Sequence, residues 1–208
     1  MIALVTGASS GIGRDIAREL AKRKYNIIAV ARNEDALKEL KNELEKEYEV
    51  NVDVRAMDLI DRDGCRKLHD DVKSQYGIID VLVNDAGFGT CGKFTETDLD
   101  KELGMIDTNV VALHILTKLF LIDMVEADKG HILNVASIAG FMPGPLMATY
   151  YSTKSYVVRL TQSIRQELFM QGSHVKISAL CPGPVKTNFN KVADVKFNLM
   201  EAHYQVNL

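Results

Sequence analysis

Residues 6–13 read Thr6-Gly7-Ala8-Ser9-Ser10-Gly11-Ile12-Gly13 and follow directly on the apolar run Ile2-Ala3-Leu4-Val5. The run predicts a strand, and the glycines predict the turn that ends it. Beyond the turn, Ile16, Ala17, Leu20 and Ala21 recur at helical spacing. A strand, a tight glycine turn and a helix N-terminus together form a site for a pyrophosphate. The helix end offers unpaired N–H groups and a partial positive charge. Gly7 and Gly11 can take positive φ, and Gly13 lets the helix pack closely on the strand. A glycine trio occurs in many turns. The strand before it and the helix after it are what point to a nucleotide.

The rest of the chain repeats this alternation. Apolar runs at 27–30, 50–54, 78–83, 132–136 and 175–180 predict strands. Leu37, Leu40, Leu44 and Tyr48 mark a helix with Asn33 as its N-cap. A polar helix is expected from about Asp61 to Tyr76, and long helices from about Asp98 to Val125 and from about Thr149 to Met170. Strand–helix–strand repetition means parallel strands joined by right-handed crossovers. The fold class is therefore α/β: a doubly wound, mainly parallel, Rossmann-like sheet with helices on both faces. Its ligand crevice lies beyond the carboxyl ends of the strands.

Bulk properties exclude several classes. The chain has 208 residues, 47% hydrophobic, with a formal net charge of −3. This suits one domain over 1–208. The charge gives no general attraction to nucleic acid or to an anionic membrane. No uninterrupted apolar run approaches the ~20 residues of a bilayer span. No basic leader is visible, and Cys65, Cys91 and Cys181 are scattered. The expectation is a cytoplasmic protein with reduced thiols. The five histidines show no metal-ligand spacing, so no metal is expected.

The second strand runs out at Val30-Ala31-Arg32, with no carboxylate until Glu34. An acidic side chain at this place bonds a free ribose 2′-hydroxyl, while arginine suits a 2′-phosphate. Arg32 thus favours NADP(H), with NAD(H) possible. Arg14 is expected to point to solvent.

Tyr150 and Lys154 are four apart at the start of a helix and share a face. An ammonium at about 4 Å, at an effective dielectric near ~20, favours a phenolate by roughly 4 kcal/mol. That is about three pKa units before opposing effects, which would bring the tyrosine toward neutrality and acid-base work. Ordinary helix-entry aromatics followed by a surface lysine are the plain alternative. Ser137 lies just past the fifth strand, at the same sheet end as Gly7. There a hydroxyl can bond a carbonyl on which charge is building. Asn109 sits inside a long helix, where asparagine is a poor choice. It either holds a water, bends the helix or lies on an exposed face.

Thr6-Gly7-x-x-x-Gly11-x-Gly13, Asn84-Asp85-Ala86-Gly87, Asn109, Ser137, Tyr150-x-x-x-Lys154 and Pro182-Gly183 occur in this order. The ordered set resembles the classical short-chain dehydrogenase/reductase family over about residues 1–188. The resemblance implies a sheet of six or seven strands and hydride transfer between NADP(H) and a carbonyl or secondary alcohol. It implies that Tyr150 exchanges the proton, Lys154 lowers the tyrosine pKa and holds the nicotinamide ribose, Ser137 orients the carbonyl, and Asn109 holds a relay water. For the cofactor it implies Gly7, Ser9, Ser10, Gly11, Ile12 and Gly13 at the phosphates. Arg32, Asp58 and Leu59 would lie toward the adenine, and Asn84, Ala86 and Gly87 along the adenosine side. Tyr150, Lys154, Pro182, Gly183, Val185 and Thr187 would flank the nicotinamide. Phe88, Cys91, Phe141, Met142 and Leu146 would line the substrate side, or else simply pack the core.

Two departures stand out. Asp85 replaces the family's usual second asparagine. The family also usually runs to about 250 residues, so a substrate lid from about residue 184 onward would be curtailed. A homodimer through the two long helices is expected, or a homotetramer. The alternatives are a dinucleotide-binding sensor with little turnover and a structural subunit that needs a partner to complete its sheet.

Overall fold

The computed structural model describes residues 1–183. Six parallel strands, β1 (Ile2–Thr6), β2 (Asn26–Ala31), β3 (Val52–Ala56), β4 (Val81–Asn84), β5 (His131–Val135) and β6 (Lys176–Leu180), form one sheet in the order β3-β2-β1-β4-β5-β6. The chain winds outward from β1 through β2 to β3, then returns to place β4 on the other side of β1. The switch point therefore lies between β1 and β4, where a crevice opens at the strands' carboxyl ends.

Alternation along each strand divides the side chains between two layers. Ala3, Val5, Ile27, Ala29 and Val83 face α1 (Gly11–Lys22) and α2 (Glu34–Tyr48). Leu4, Ile28, Val30, Leu82, Ile132 and Ile177 face α3 (Arg62–Tyr76), α5 (Leu113–Glu126) and the end of α6 (Ala148–Met170). Each large apolar side chain so buried contributes about 1.5–3 kcal/mol. The α1 layer sits close because Gly13, Ala17 and Ala21 form its buried stripe. Asn33 caps α2 as expected, its side chain accepting the Ala36 N–H at 3.1 Å.

Three elements depart from expectation, the first being the fourth strand, which is Val81–Asn84 and not 78–83. The third strand is Val52–Ala56, not 50–54, because Glu49 ends α2 in a left-handed conformation and the chain needs Val50 and Asn51 to reach the sheet. The long central helix is α4 (Leu99–Ile106), a π-helical turn (Asp107–Ala112) and α5 in continuous succession. Residues Leu99–Glu126 are long and apolar enough to cross a membrane by length and composition. In the fold one face of this helix packs on α3 and α6, while Leu99, Leu103, Ile122 and Val125 remain exposed.

Candidate active site

The glycine turn is built by contact. Gly7 (φ 70°) and Gly11 (φ 58°) occupy the left-handed region. A Cβ on Gly7 would lie 2.9 Å from the Ala86 nitrogen. One on Gly13 would lie 2.6 Å from the Gly7 carbonyl oxygen. The turn is thus pressed against the segment after β4 as well as against its own helix. Thr6 ties the two together: its hydroxyl oxygen accepts the N–H groups of Asp85 (3.0 Å) and Ala86 (3.1 Å). Ser10 occupies the N-cap of α1 without a side-chain cap, and the first turn carries no acidic residue. The first N–H groups of α1 are therefore not capped from within the turn itself, beside a cradle that a Cβ would fill. The geometry fits a dinucleotide phosphate. Ser9, Ser10 and Ile12 lie within this turn. Arg14 departs from expectation: it turns to Glu43 on α2 (3.0 Å) and is only partly exposed.

Ser137 caps a short 3-10 turn (Ile138–Phe141) just past β5, its hydroxyl accepting the Ala139 N–H at 3.1 Å. It also bonds Tyr150, which stands in the first turn of α6. Lys154, one turn further, places Nζ 5.9 Å from the centroid of the Tyr150 ring and donates to the Val135 carbonyl at 2.8 Å. Both side chains are buried. The three residues meet at the carboxyl end of β5. One expectation is corrected: burial pushes the Tyr150 phenol up rather than down. The bond to Ser137 opposes this and the Asp85 carboxylate adds to it. Burial also pushes the Lys154 ammonium down, while Asp85 holds it up.

Asn109 is 1% exposed and sits in the π-helical turn. Its oxygen accepts the Phe88 N–H (3.0 Å), and its nitrogen donates to the Phe88 carbonyl (2.9 Å) and to Thr153 Oγ1 (3.1 Å). The exposed-face alternative is excluded, and the amide's donors are taken up in holding the loop after β4 against α6. Asn84 is likewise turned into the fold. Its nitrogen donates to Thr117 Oγ1 (3.0 Å) and to Asn134 Oδ1 (2.9 Å), which steadies the sheet and withdraws the side chain from a ligand. Leu59 is buried in the core beside Leu68, so only its backbone can face a ligand.

Arg32 and Asp58 stand past the ends of β2 and β3, 3.8 Å apart and both exposed. Gly87 follows Ala86 on the crevice side, where a Cβ would strike Asn109 Oδ1 at 2.8 Å. Pro182 accepts the Ile138 N–H through its carbonyl at 3.1 Å, and Gly183 lies against Ile138. Val185 and Thr187 lie outside the described residues.

The chain matches the short chain dehydrogenase family over residues 1–196. It belongs to that family. It is 36% identical over 195 residues to an uncharacterized oxidoreductase from Staphylococcus epidermidis, covering 93% of this chain and 81% of the relative. It is 36% identical over 192 residues to the NADP-dependent 3-hydroxy acid dehydrogenase of Schizosaccharomyces pombe, covering 91% and 73%. Among solved structures, a short-chain dehydrogenase from Sphingobium yanoikuyae in complex with NADPH superposes with a TM-score of 0.87 at 29% identity, covering 94% of this chain and 75% of that one.

In this short-chain dehydrogenase, the residues expected on the substrate side divide. Phe88 and Cys91 pack with Met105, Ala139, Met147 and Tyr150, while Phe141, Met142 and Leu146 are exposed. Sequence reasoning missed Thr6 as the latch of the turn, Thr153 as the partner of Asn109, and the buried Asn84–Thr117–Asn134–Thr161 network. The available signal was polar residues inside otherwise apolar strands and helix faces, since buried polar groups are placed to bond one another. Among the described residues there is no cluster of metal-ligating side chains.

Proposed function

We propose that this oxidoreductase transfers a hydride between NADP(H) and a carbonyl or secondary alcohol, with Ser137, Tyr150 and Lys154 as its acid-base site. The observation that carries the reading is the meeting of these three side chains beside the glycine turn. The bound dinucleotide would supply or accept the hydride. In reduction, Tyr150 gives its hydroxyl proton to the carbonyl oxygen as the carbon gains hydride. The C=O becomes CH–OH, and the phenolate is reprotonated from water. Ser137 donates to the same oxygen, and the Lys154 charge stabilises the phenolate. Asn109 acts as a positioning residue through Phe88 and Thr153.

Arg32 at the end of β2 supports NADP(H) over NAD(H), and so do the NADP-dependence of the fission-yeast relative and the NADPH of the Sphingobium complex. The test is NADPH oxidation across a panel of aldehydes and ketones. Tyr150→Phe should lose turnover and keep NADPH binding; surviving turnover would remove Tyr150 from its role. NADPH binding without turnover on any carbonyl would favour the sensor reading.

The same helices suggest a homodimer. Leu99, Leu103, Ile122 and Val125 on α4–α5 and Tyr156, Phe169 and Met170 on α6 are exposed apolar side chains. Light scattering at micromolar concentration should give twice the chain mass, or four times for a tetramer; a monomer would refute the pairing.

A further inference from the structure

Asp85 is a carboxylate set behind the surface that would take the diphosphate. Its Oδ2 lies 2.6 Å from where a Gly13 Cβ would be and 3.0 Å from where a Gly7 Cβ would be. Only the missing side chains of the turn make room for it. Its carboxyl accepts the Gly13 N–H, one of the amides at the N-terminus of α1. Its own N–H is held by Thr6 on β1. From α6 it faces Lys154 and acts on Tyr150, and Cys181 after β6 interacts with the same Lys154. Arg14, the nearest cation along α1, is turned away to Glu43. Lys154 is therefore the cation that balances Asp85, and it is also bonded to Val135.

We propose that Asp85 makes dinucleotide binding proton-linked, the turn taking a diphosphate best when the Asp85 carboxyl is neutral. The inference rests on the dinucleotide reading above. A diphosphate on the outer side of the turn and an ionised carboxylate on the inner side compete for the same N–H groups and repel across one layer of backbone. Binding therefore draws a proton onto Asp85. Burial, opposed by Lys154 and the Gly13 N–H, already pushes this carboxyl up to about 7, so the exchange falls in the neutral range. Asparagine at the same place would carry no charge and no such linkage.

NADH is the probe, because it lacks the 2′-phosphate that itself titrates near ~6. Fluorescence titration from about pH 6 to about pH 8.5 should show the affinity of the unmodified chain falling on the order of tenfold. Asp85→Asn should bind more tightly at the upper end. Loss of the Lys154 proton acts in the same sense, so an infrared difference spectrum at about pH 8 separates the two groups. NADH binding should raise a neutral-carboxyl C=O band in the unmodified chain, absent from Asp85→Asn. NADH bound with no such band, or with the same band in both proteins, would overturn the inference and leave the dinucleotide reading intact. Failure of the unmodified chain to bind NADH or NADPH would overturn both, and binding by the unmodified chain with none by Asp85→Asn at high pH would overturn the proton linkage alone.

Discussion

Gly13→Ala tests the close approach on which the dinucleotide cradle depends. Gly13 is the third residue of α1, where alanine in place of glycine ordinarily stabilises a helix by roughly 0.5–1 kcal/mol. Here the new Cβ would sit 2.6 Å from the Gly7 carbonyl oxygen, 2.6 Å from Asp85 Oδ2 and 2.9 Å from the Gly7 carbonyl carbon. The carboxylate can rotate away. The Gly7 carbonyl cannot, because it belongs to a turn latched by Thr6 to the segment after β4. Overpacking of this kind costs about 1–3 kcal/mol, and contact with backbone places it in the upper half of that range. The net loss is about 2 kcal/mol, or about 4–8 °C in Tm for a domain of this size. Gly104→Ala is the matched control. Gly104 lies in α4, and its added Cβ would meet only Ile60 Cδ1 at 3.6 Å and Phe88 Cζ at 4.0 Å, ordinary contacts. That variant should gain about 0.5–1 kcal/mol. Thermal unfolding followed by circular dichroism, with urea midpoints as a second measure, reads both. If Gly13→Ala raises Tm as Gly104→Ala does, the turn is not pressed against its neighbours and the cradle argument fails.

Arg32→Ala should weaken NADPH about tenfold and leave NADH nearly unchanged, the scale of one hydrogen bond to a charged group discounted for exposure. Equal losses for both cofactors in binding titrations would rule out a 2′-phosphate contact. Asn134→Ala should cost about 2–3 kcal/mol in urea unfolding, because Asn134 is fully buried and its loss strands donors on Asn84 and Thr117 and an acceptor on Thr161. A cost below about 0.5 kcal/mol would show that the network is not holding β4 to β5. Asp123 is buried between His69 and Lys73. Burial works to raise its carboxyl, and the bonds to Lys73 and His69 outweigh that and hold it below the usual range. Its contribution is therefore present above the ordinary carboxylate pKa and is lost as pH falls through the depressed value. The stability gap between the unmodified chain and Asp123→Asn should be wide at neutral pH and close in acid; a gap constant with pH would refute the pairing.

Local chemistry made much of the fold legible in the sequence. The glycine turn, the Asn33 cap and the alternating strand faces depend on neighbours within a few residues. The α/β alternation then leaves few topologies, because crossovers are right-handed. The limits of β3 were less legible, since Val50 is apolar and buried without being in the strand. The π-helical turn escaped notice for a related reason: Asn109 bonds Phe88 and Thr153, partners 21 and 44 residues away.

Residue types and spacings by themselves determined that a strand, a glycine turn and a helix would meet, and that Tyr150 and Lys154 would share a helix face. Only the tertiary structure decided which way the pKa of each member of that pair moves. Spacing alone suggested that Lys154 would draw the tyrosine toward neutrality. Folding buries both groups and brings Asp85, 65 and 69 positions earlier in the chain, into their field. Desolvation and a distant carboxylate hold the phenol up, and neither exists until the sheet has closed around it.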